Sequence, residues 1–356
     1  MSITSVRGAR RPGIHRGSLL VVAFAALLAL VACSDDSGSD SGAGTEATTT
    51  AEASAGTAAS TATAEATASP ESRDIAHELG TTTITGIPER IVVLEYSFAD
   101  NLGSLEVAPV GYAVDAPPDY LATYTEDVGA VAVGTRAEPD LEAIAALKPD
   151  LIIGDLQRHE ETYPLLSEIA PTLIFNSLRG SYQDQLDTFA VIADVLGKQD
   201  EAAALLATYE SSFDAAAERA NAEADPILVG VLHPGGFTAH TSQSFMGSLL
   251  DSLGRPNVLE PVDGETQYDF SLEGIVGADP SGIVVLCAPG EQELLDTLSS
   301  EPAWQVLDAV TNERVYVFDR NLWSKGRGLI AYEQILADAV DSGLLSDGPS
   351  TRTSCG

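Results

Sequence analysis

One short pattern occurs twice in this chain, and it restricts the possible folds more than any other feature. The first copy reads LEAI at 141–144, followed by KPDLII at 148–153. The second copy begins 131 positions later, with LEGI at 272–275 and DPSGIV at 279–284. Each copy predicts a short helix that ends near a proline and is followed by a buried strand. Two such units predict two α/β lobes, with a glutamate at the same place on each lobe.

Apolar runs and helical patterns alternate between residues 73 and 345, which predicts mainly parallel sheets with helices on their faces. We expect an N-terminal lobe at 73–180, a connecting segment at 181–224, a C-terminal lobe at 225–345 and a tail at 346–356. The connecting segment has helical spacing, no strand pattern and a turn at Gly197. It favours one long helix between two lobes, although a two-helix excursion within one domain is an alternative. The strand-like runs are Arg90–Leu94, Val110–Val114, Leu151–Gly154, Thr172–Asn176, Ile227–Leu232, Ile283–Cys287 and Val315–Phe318.

The N-terminus has the features of an export signal. Basic residues precede an uncharged apolar run that ends in small residues, so residues 1–32 are predicted to be a signal peptide. The sequence LVAC at 30–33 is similar to a bacterial lipobox, in which Cys33 is lipidated. The following residues, to about 72, are rich in Ser, Thr and Ala and predict a disordered linker. We therefore expect a lipid-anchored protein on the extracytoplasmic face of the cell membrane.

The remaining chain is strongly acidic. Residues 1–33 contain four of the 18 basic residues and none of the 53 acidic ones, so the chain beyond them has a net charge of −39. Such a surface repels nucleic acids, and we expect no nucleic-acid partner. An exported location allows a disulfide between Cys287 and Cys355. A buried free thiol at Cys287 is an equal alternative.

The sequence contains none of the common enzyme motifs that we sought, namely GxSxG, HExxH, the P-loop and CxxC. The histidines show no metal-ligand spacing. We therefore expect neither catalytic activity nor a resident cofactor or metal site.

Several cationic or aromatic residues follow predicted strands. Arg158 and Arg179 come after strands of the first lobe, and Arg136 lies in a loop before the first copy of the repeat. Loops at the carboxyl ends of parallel strands form the crevice where ligands bind. An alternative for each arginine alone is an ion pair with a local acid. Together they favour an anion site, because guanidinium binds carboxylate in a bidentate fork.

Three further residues are candidates for the same crevice. Trp323 and Arg327 follow the last predicted strand of the second lobe, as the arginines do in the first. Tyr96 follows the first strand of the first lobe and opens a predicted helix. A hydroxyl and free backbone N–H groups at a helix start favour an anion.

The segment VGTRAEPDLEAIAALKPDLII at 133–153 resembles the core motif of iron-complex substrate-binding proteins of ABC importers. The resemblance extends over residues 74–340, and the segments at 155–159, 169–171 and 177–179 look most like the ferric-citrate branch. One departure is Asp279-Pro280 in the second copy, where the family has Pro-Asp. The resemblance implies two lobes bridged by one long helix, with a ferric complex between them.

The resemblance also implies roles for particular residues. Glu142 and Glu273 would dock onto arginines of the two permease subunits, and Arg136 would bind the ligand. Arg158, Arg179 and Arg327 match the citrate-type pattern, and Trp323 would form a pocket wall. We therefore expect a monomeric receptor that captures an anionic ferric chelate, citrate-like or a siderophore, and delivers it to an ABC permease dimer. Alternatives are a receptor for a hydroxamate siderophore, haem or cobalamin-type ligand, a lipid-anchored enzyme, and an adhesin.

Overall fold

The structure is a computed structural model that describes residues 71–355. The predicted signal peptide, the lipidation site Cys33 and the predicted linker up to residue 70 lie outside the described residues. The described chain begins with a hairpin of strands β1 (Ser72–His77) and β2 (Gly80–Thr85). Thr82 Oγ1 donates to the carbonyl of Thr172, which attaches this hairpin to the first lobe.

The first lobe contains a five-stranded sheet in the order β5-β4-β3-β6-β7, and all of its strands are parallel. Its central strands are fully buried, as expected for a sheet covered on both faces. The strands are β3 (Ile91–Val93), β4 (Gly111–Tyr112), β5 (Val131–Ala132), β6 (Leu151–Asp155) and β7 (Thr172–Phe175). The helices are α1 (Tyr96–Ser104), a 3-10 helix (Asp119–Tyr124), α2 (Leu141–Leu147), α3 (Leu156–His159) and α4 (Tyr163–Ile169).

The second lobe has a sheet in the order β10-β9-β8-β11-β12. Strands β8, β11 and β12 are parallel, whereas β9 runs antiparallel to both of its neighbours. The strands are β8 (Leu228–His233), β9 (Gly236–His240), β10 (Gln267–Asp269), β11 (Ile283–Cys287) and β12 (Val315–Asp319). The helices are α7 (Phe245–Ser252), α8 (Leu272–Ala278), α9 (Gln292–Ser300), α10 (Pro302–Gln305), α11 (Asp308–Thr311), α12 (Arg320–Trp323) and α13 (Leu329–Asp341). The predicted two-lobed α/β class is confirmed.

Two helices join the lobes, α5 (Tyr182–Val195) and α6 (Gln199–Ala217). The helical spacing predicts one long helix here, and the structure divides it at the expected turn. Gly197 has a φ of 66°, a left-handed conformation that glycine adopts at helix ends without steric cost. The two helices pack together through a hydrogen bond of 2.9 Å between the hydroxyls of Tyr182 and Tyr209.

The repeated pattern forms the same structure in both lobes. Helices α2 and α8 each have seven residues and begin at a side-chain cap, Asp140 in the first and Ser271 in the second. Each ends at a left-handed residue before a proline, Lys148 with a φ of 48° and Asp279 with a φ of 44°. A buried strand then follows, β6 or β11. The departure from the family pattern at residues 279–280 therefore leaves the unit intact.

The C-terminal segment is attached to the second lobe. Cys355 forms a disulfide with Cys287, at the end of β11, so the pairing that the sequence left open is present. The backbone N–H of Val317 in β12 donates to the carbonyl of Arg352. Residues 350–355 thus lie against the body of the protein. No helix within residues 71–355 combines the length and apolar character needed to cross a membrane.

Candidate functional site

A buried carboxylate, Glu95, holds two of the predicted arginines together. It follows β3 and caps α1, with Oε1 accepting from the backbone N–H of Tyr96 at 3.0 Å. Arg136 Nη1 donates to the same oxygen at 2.9 Å, and Arg158 Nε donates to Oε2 at 2.9 Å. The segments after β3, β5 and β6 therefore meet at one point, and Arg136 lies beside Arg158 there.

The charge of Glu95 is maintained by its neighbours. Burial alone would raise the pKa of this carboxyl, but the positive charges of Arg136, Arg327 and Arg158 outweigh burial and hold the pKa below its usual value. Arg327 follows β12 in the second lobe, so both lobes contribute charge to this cluster. We call Glu95, Arg136, Arg158 and Arg327 the arginine cluster.

Arg136 is fully occupied by side chains of its own lobe. Its Nε donates to Asp115 Oδ1 at 2.6 Å and its Nη2 to Asp115 Oδ2 at 3.2 Å. Its guanidinium carbon lies 4.2 Å from the centroid of the Tyr96 ring, a cation–π contact. With Nη1 on Glu95, all three nitrogens are bonded, and 9% of the side chain is exposed.

Tyr96 is also occupied. Its hydroxyl donates to Asp115 Oδ1 at 2.7 Å and accepts from the Asp115 backbone N–H at 2.8 Å. The residue is buried. The Tyr96 ring therefore packs against the Arg136 guanidinium, and its hydroxyl already has two hydrogen-bond partners.

Arg158 and Arg327 are the arginines with unused donors. Arg158 bonds Glu95 through Nε, and neither of its terminal nitrogens has a hydrogen-bond partner within residues 71–355, while 20% of the side chain is exposed. Arg327 is buried, and its Nε has no partner in the described chain. It also forms no ion pair there, and its guanidinium lies 5.9 Å from the Phe245 ring centroid. These two side chains have the capacity to bind a further anion.

Arg179 reaches from the first lobe to the second. Its Nη1 donates to the carbonyl of Gln267 at 3.0 Å, and its Nη2 lies 3.3 Å from Glu265 Oε2. In return, Gln267 Nε2 donates to the carbonyl of Leu178. Arg179 therefore links the two lobes and is not part of the arginine cluster.

Trp323 does not lie at the protein surface. The side chain is fully buried and stacks on Phe318 with ring centroids 4.0 Å apart. Its Nε1 donates to Asp338 Oδ2 at 3.0 Å. The short helix α12 turns the ring back over β12 into the core. Trp323 therefore does not form the expected pocket wall.

Glu142 and Glu273 occupy equivalent positions on the two lobes. Each is the second residue of its helix, α2 or α8, and each side chain is exposed.

The sequence analysis missed the acids that organise the site. Glu95 and Asp115 follow β3 and β4, so the strand-end rule that selected the arginines also applies to them. It was applied only to cationic, aromatic and hydroxyl side chains. His240 has no metal-ligand spacing in the sequence, and the structure places it in the interior. It is buried, and burial, together with Arg327 and Arg179, lowers its pKa to about 3, so the imidazole is neutral.

Comparison with known proteins identifies the family. A family model described as periplasmic binding protein matches residues 91–322. The chain is 36% identical over 274 residues to the Fe(3+)-citrate-binding protein YfmC of Bacillus subtilis, covering 76% of this chain and 86% of the relative. It is 36% identical over 271 residues to the Fe(3+) dicitrate-binding periplasmic protein FecB of Escherichia coli, covering 75% and 88%.

Solved structures agree with this result. The siderophore binding protein BauB, bound to acinetobactin and ferric iron, has a TM-score of 0.65 and 25% identity, with 75% of this chain and 97% of that chain covered. Staphylococcus aureus SirA, complexed with staphyloferrin B, also has a TM-score of 0.65, with 26% identity and coverage of 76% and 97%. This chain therefore belongs to the periplasmic binding protein family.

Proposed function

We propose that this protein captures an anionic ferric chelate of the citrate type in the cleft between its lobes and delivers it to an ABC import permease. The observation that carries the proposal is the arginine cluster. Arg158 presents unused donors at a partly exposed position, and Arg327 is buried without an ion pair in the described chain. Buried charges are normally paired, so this arrangement favours an anionic ligand.

The free donors of the arginine cluster support an anion with several carboxylates. Arg158 and Arg327 keep unused donors although the carboxylates of Glu95 and Asp155 lie close to them. Planar guanidinium groups bind carboxylates in two parallel hydrogen bonds. Ferric citrate presents several such groups, and two relatives with 36% identity are named for ferric citrate.

The iron itself would arrive inside its chelate. Within residues 71–355, no group of three or more His, Cys, Asp and Glu side chains is placed to hold a metal ion. A receptor that recognises the organic shell needs no such group, because the chelate supplies the metal ligands. The ferric chelate would therefore be the transported substrate, and its iron would not be a resident cofactor of the protein.

Delivery would use the exposed glutamates on the two repeated helices. Glu142 and Glu273 lie one on each lobe, which suits a permease made of two similar subunits. Cys33, if lipidated, would hold the receptor at the membrane beside that permease. We propose that it acts there as a monomer.

Isothermal titration of the purified full chain with ferric citrate, a ferric hydroxamate, haem and iron-free citrate tests the proposal. Ferric citrate should bind, and haem should not. Arg158→Gln should weaken ferric citrate binding by about tenfold to a hundredfold, because a charge-assisted hydrogen bond is worth about 1.5–3 kcal/mol.

Arg219→Gln is the matched control. Arg219 is exposed on the connecting segment and forms no ion pair within the described residues, so its loss should leave affinity unchanged. A wild-type chain that binds haem or the hydroxamate in preference to ferric citrate would overturn the citrate assignment. An equal loss in both variants would show a general charge effect in place of a site.

A further inference from the structure

We propose that Asp115 occupies the place of a ligand carboxylate on Arg136, so that it competes with the ligand and limits the affinity of the cleft. The inference rests on the proposed function, because it names the residue that a ferric chelate must displace. Asp115 would then be a residue that sets affinity, although nothing in its sequence position alone distinguishes it from the other acids of the chain.

The geometry is that of a bound carboxylate. Both oxygens of Asp115 are used, one on Nε and one on Nη2 of Arg136, at 2.6 and 3.2 Å. This edge of a guanidinium is a preferred binding edge for an external carboxylate, which forms the same two parallel bonds. The remaining nitrogen, Nη1, bonds Glu95. A ligand carboxylate therefore reaches this fork of Arg136 only when Asp115 leaves it.

The two acids on Arg136 differ in how easily they can leave. Glu95 is fully buried and is held in addition by Arg158 and by the Tyr96 backbone. Removing it from its partners would leave an unpaired charge in the interior, which is costly. Asp115 lies in the loop after β4, its carboxylate has only the Tyr96 hydroxyl as a further partner in the described chain, and 35% of its side chain is exposed. Its carboxylate can turn toward water and regain hydration, so Asp115 is the displaceable partner.

A purely supporting role for Asp115 predicts the opposite effect. In that case Asp115 would hold Arg136 and Tyr96 in position for the ligand, and its removal would weaken binding. Asp115→Asn separates the two roles. Its backbone N–H can still donate to the Tyr96 hydroxyl, and the amide oxygen can still accept from that hydroxyl. The negative charge on the Arg136 fork is lost.

The experiment measures ferric citrate binding to the full chain by isothermal titration, with the melting temperature of each variant recorded. Asp115→Asn and Asp115→Ala should each bind about tenfold tighter than the wild-type chain, since one charged competitor is gone. Asp119→Asn is the matched control. It removes the same charge four residues further along, from an exposed side chain without a hydrogen bond in the described chain. Its affinity should stay near that of the wild-type chain.

A crystal structure of the wild-type chain with ferric citrate tests the same point without a substitution. A ligand oxygen should lie on Nε and Nη2 of Arg136, and Asp115 should have turned away. Asp115 still bonded to both nitrogens in that complex would overturn the inference, as would equal or weaker binding by folded Asp115→Asn. An equal gain in Asp119→Asn would also overturn it.

These outcomes differ from a failure of the proposed function. If the wild-type chain binds no ferric chelate, the proposed function fails and the inference fails with it. If the wild-type chain binds ferric citrate and the Asp115 variants show no gain, only the inference fails.

Discussion

Gly328 lies directly against the carboxylate of Asp100, so close that a Cβ on Gly328 would be 2.2 Å from Asp100 Oδ1. Asp100 belongs to α1 of the first lobe, whereas Gly328 precedes α13 of the second. The Asp100 oxygens accept from the backbone N–H groups of Ile330 and Ala331, both at 3.1 Å. The first lobe thus caps the last helix, which has no side-chain cap of its own. We call this contact between Asp100 and the start of α13 the joint. Arg327 of the arginine cluster directly precedes Gly328 in the chain.

Gly328→Ala should therefore disturb both stability and ligand binding. The added methyl group would push Asp100 away from the start of α13, and such overpacking costs about 1–3 kcal/mol. Arg327 would move with the displaced backbone, so ferric citrate binding should weaken as well. Urea unfolding and isothermal titration measure the two effects.

Gly277→Ala is the control for this substitution. A Cβ on Gly277, in α8, would have no neighbour within 4 Å, and alanine is favoured over glycine in a helix by about 0.5–1 kcal/mol. The two variants should therefore change the free energy of unfolding in opposite directions. A Gly328→Ala protein as stable as the wild-type chain would show that the joint adapts without cost.

The same joint should make stability depend on pH. Burial raises the pKa of Asp100 to about 6, against the opposing hydrogen bonds from Tyr120, Ile330 and Ala331. A carboxyl with a higher pKa in the folded state binds more protons there, so its contribution to stability is present at low pH and is lost as pH rises through about 6. Two pKa units correspond to about 3 kcal/mol.

Urea unfolding of the wild-type chain and of Asp100→Asn at pH 4 and pH 7 measures this dependence. The difference in free energy of unfolding between them should shift in favour of the variant by about 2 kcal/mol as the pH rises from 4 to 7, because the unfolded carboxyl is already partly ionised at pH 4. The acids Glu95 and Asp115, whose pKa values are lowered, are common to both proteins and cancel in the difference. A difference that is the same at both pH values would contradict the prediction.

The disulfide should contribute strongly to the stability of the second lobe. Cys287 and Cys355 are 68 positions apart, so the bond restricts a long loop in the unfolded chain. Cys355→Ser should reduce the free energy of unfolding by about 2–5 kcal/mol. A reducing agent should lower the stability of the wild-type chain to that of the variant and leave the variant unchanged. Unaltered unfolding of the wild-type chain on reduction would count against the prediction.

Largely buried parallel strands could be predicted from sequence, including β7 and β12 at sheet edges, whereas β5, β9 and β10 could not. Strand β11 was predicted at its observed bounds, because a parallel strand buried on both faces is a continuous apolar run. Strand β5 has two exposed residues, and β10 has three that are partly or fully exposed, which is too short for a pattern. The β1–β2 hairpin was also missed. Its threonine-rich second strand, GTTTIT, carries little apolar signal.

Sequence position could predict which loops meet, but not which side chains bond. The rule for strand ends selected Arg158 and Arg179, with Arg136 expected from a neighbouring loop. The structure joins Arg136 to Arg158 through Glu95, whereas Arg179 bonds the second lobe. The direction of a side chain depends on its local turn, which is why Trp323 points into the core. The absence of the enzyme motifs that we sought agrees with the family, whose members bind substrates for transporters and are not enzymes.

The repeated helices α2 and α8 each present one exposed glutamate. Glu142 and Glu273 are exposed at equivalent positions of α2 and α8, outside the arginine cluster. Charge pairs at the rim of an interface act mainly on encounter and orientation. Two docking points on one body form a bivalent contact, so losing both should cost more than losing either one.

Replacing both residues by Ala should abolish iron uptake in cells, while ferric citrate binding by the purified chain stays at the wild-type value. The matched control replaces Glu210 and Glu218, two exposed glutamates of the connecting segment, and should transport normally. Normal uptake by the Glu142/Glu273 variant, or loss of its ligand binding, would remove the docking role and leave the repeat as a property of the lobe architecture alone.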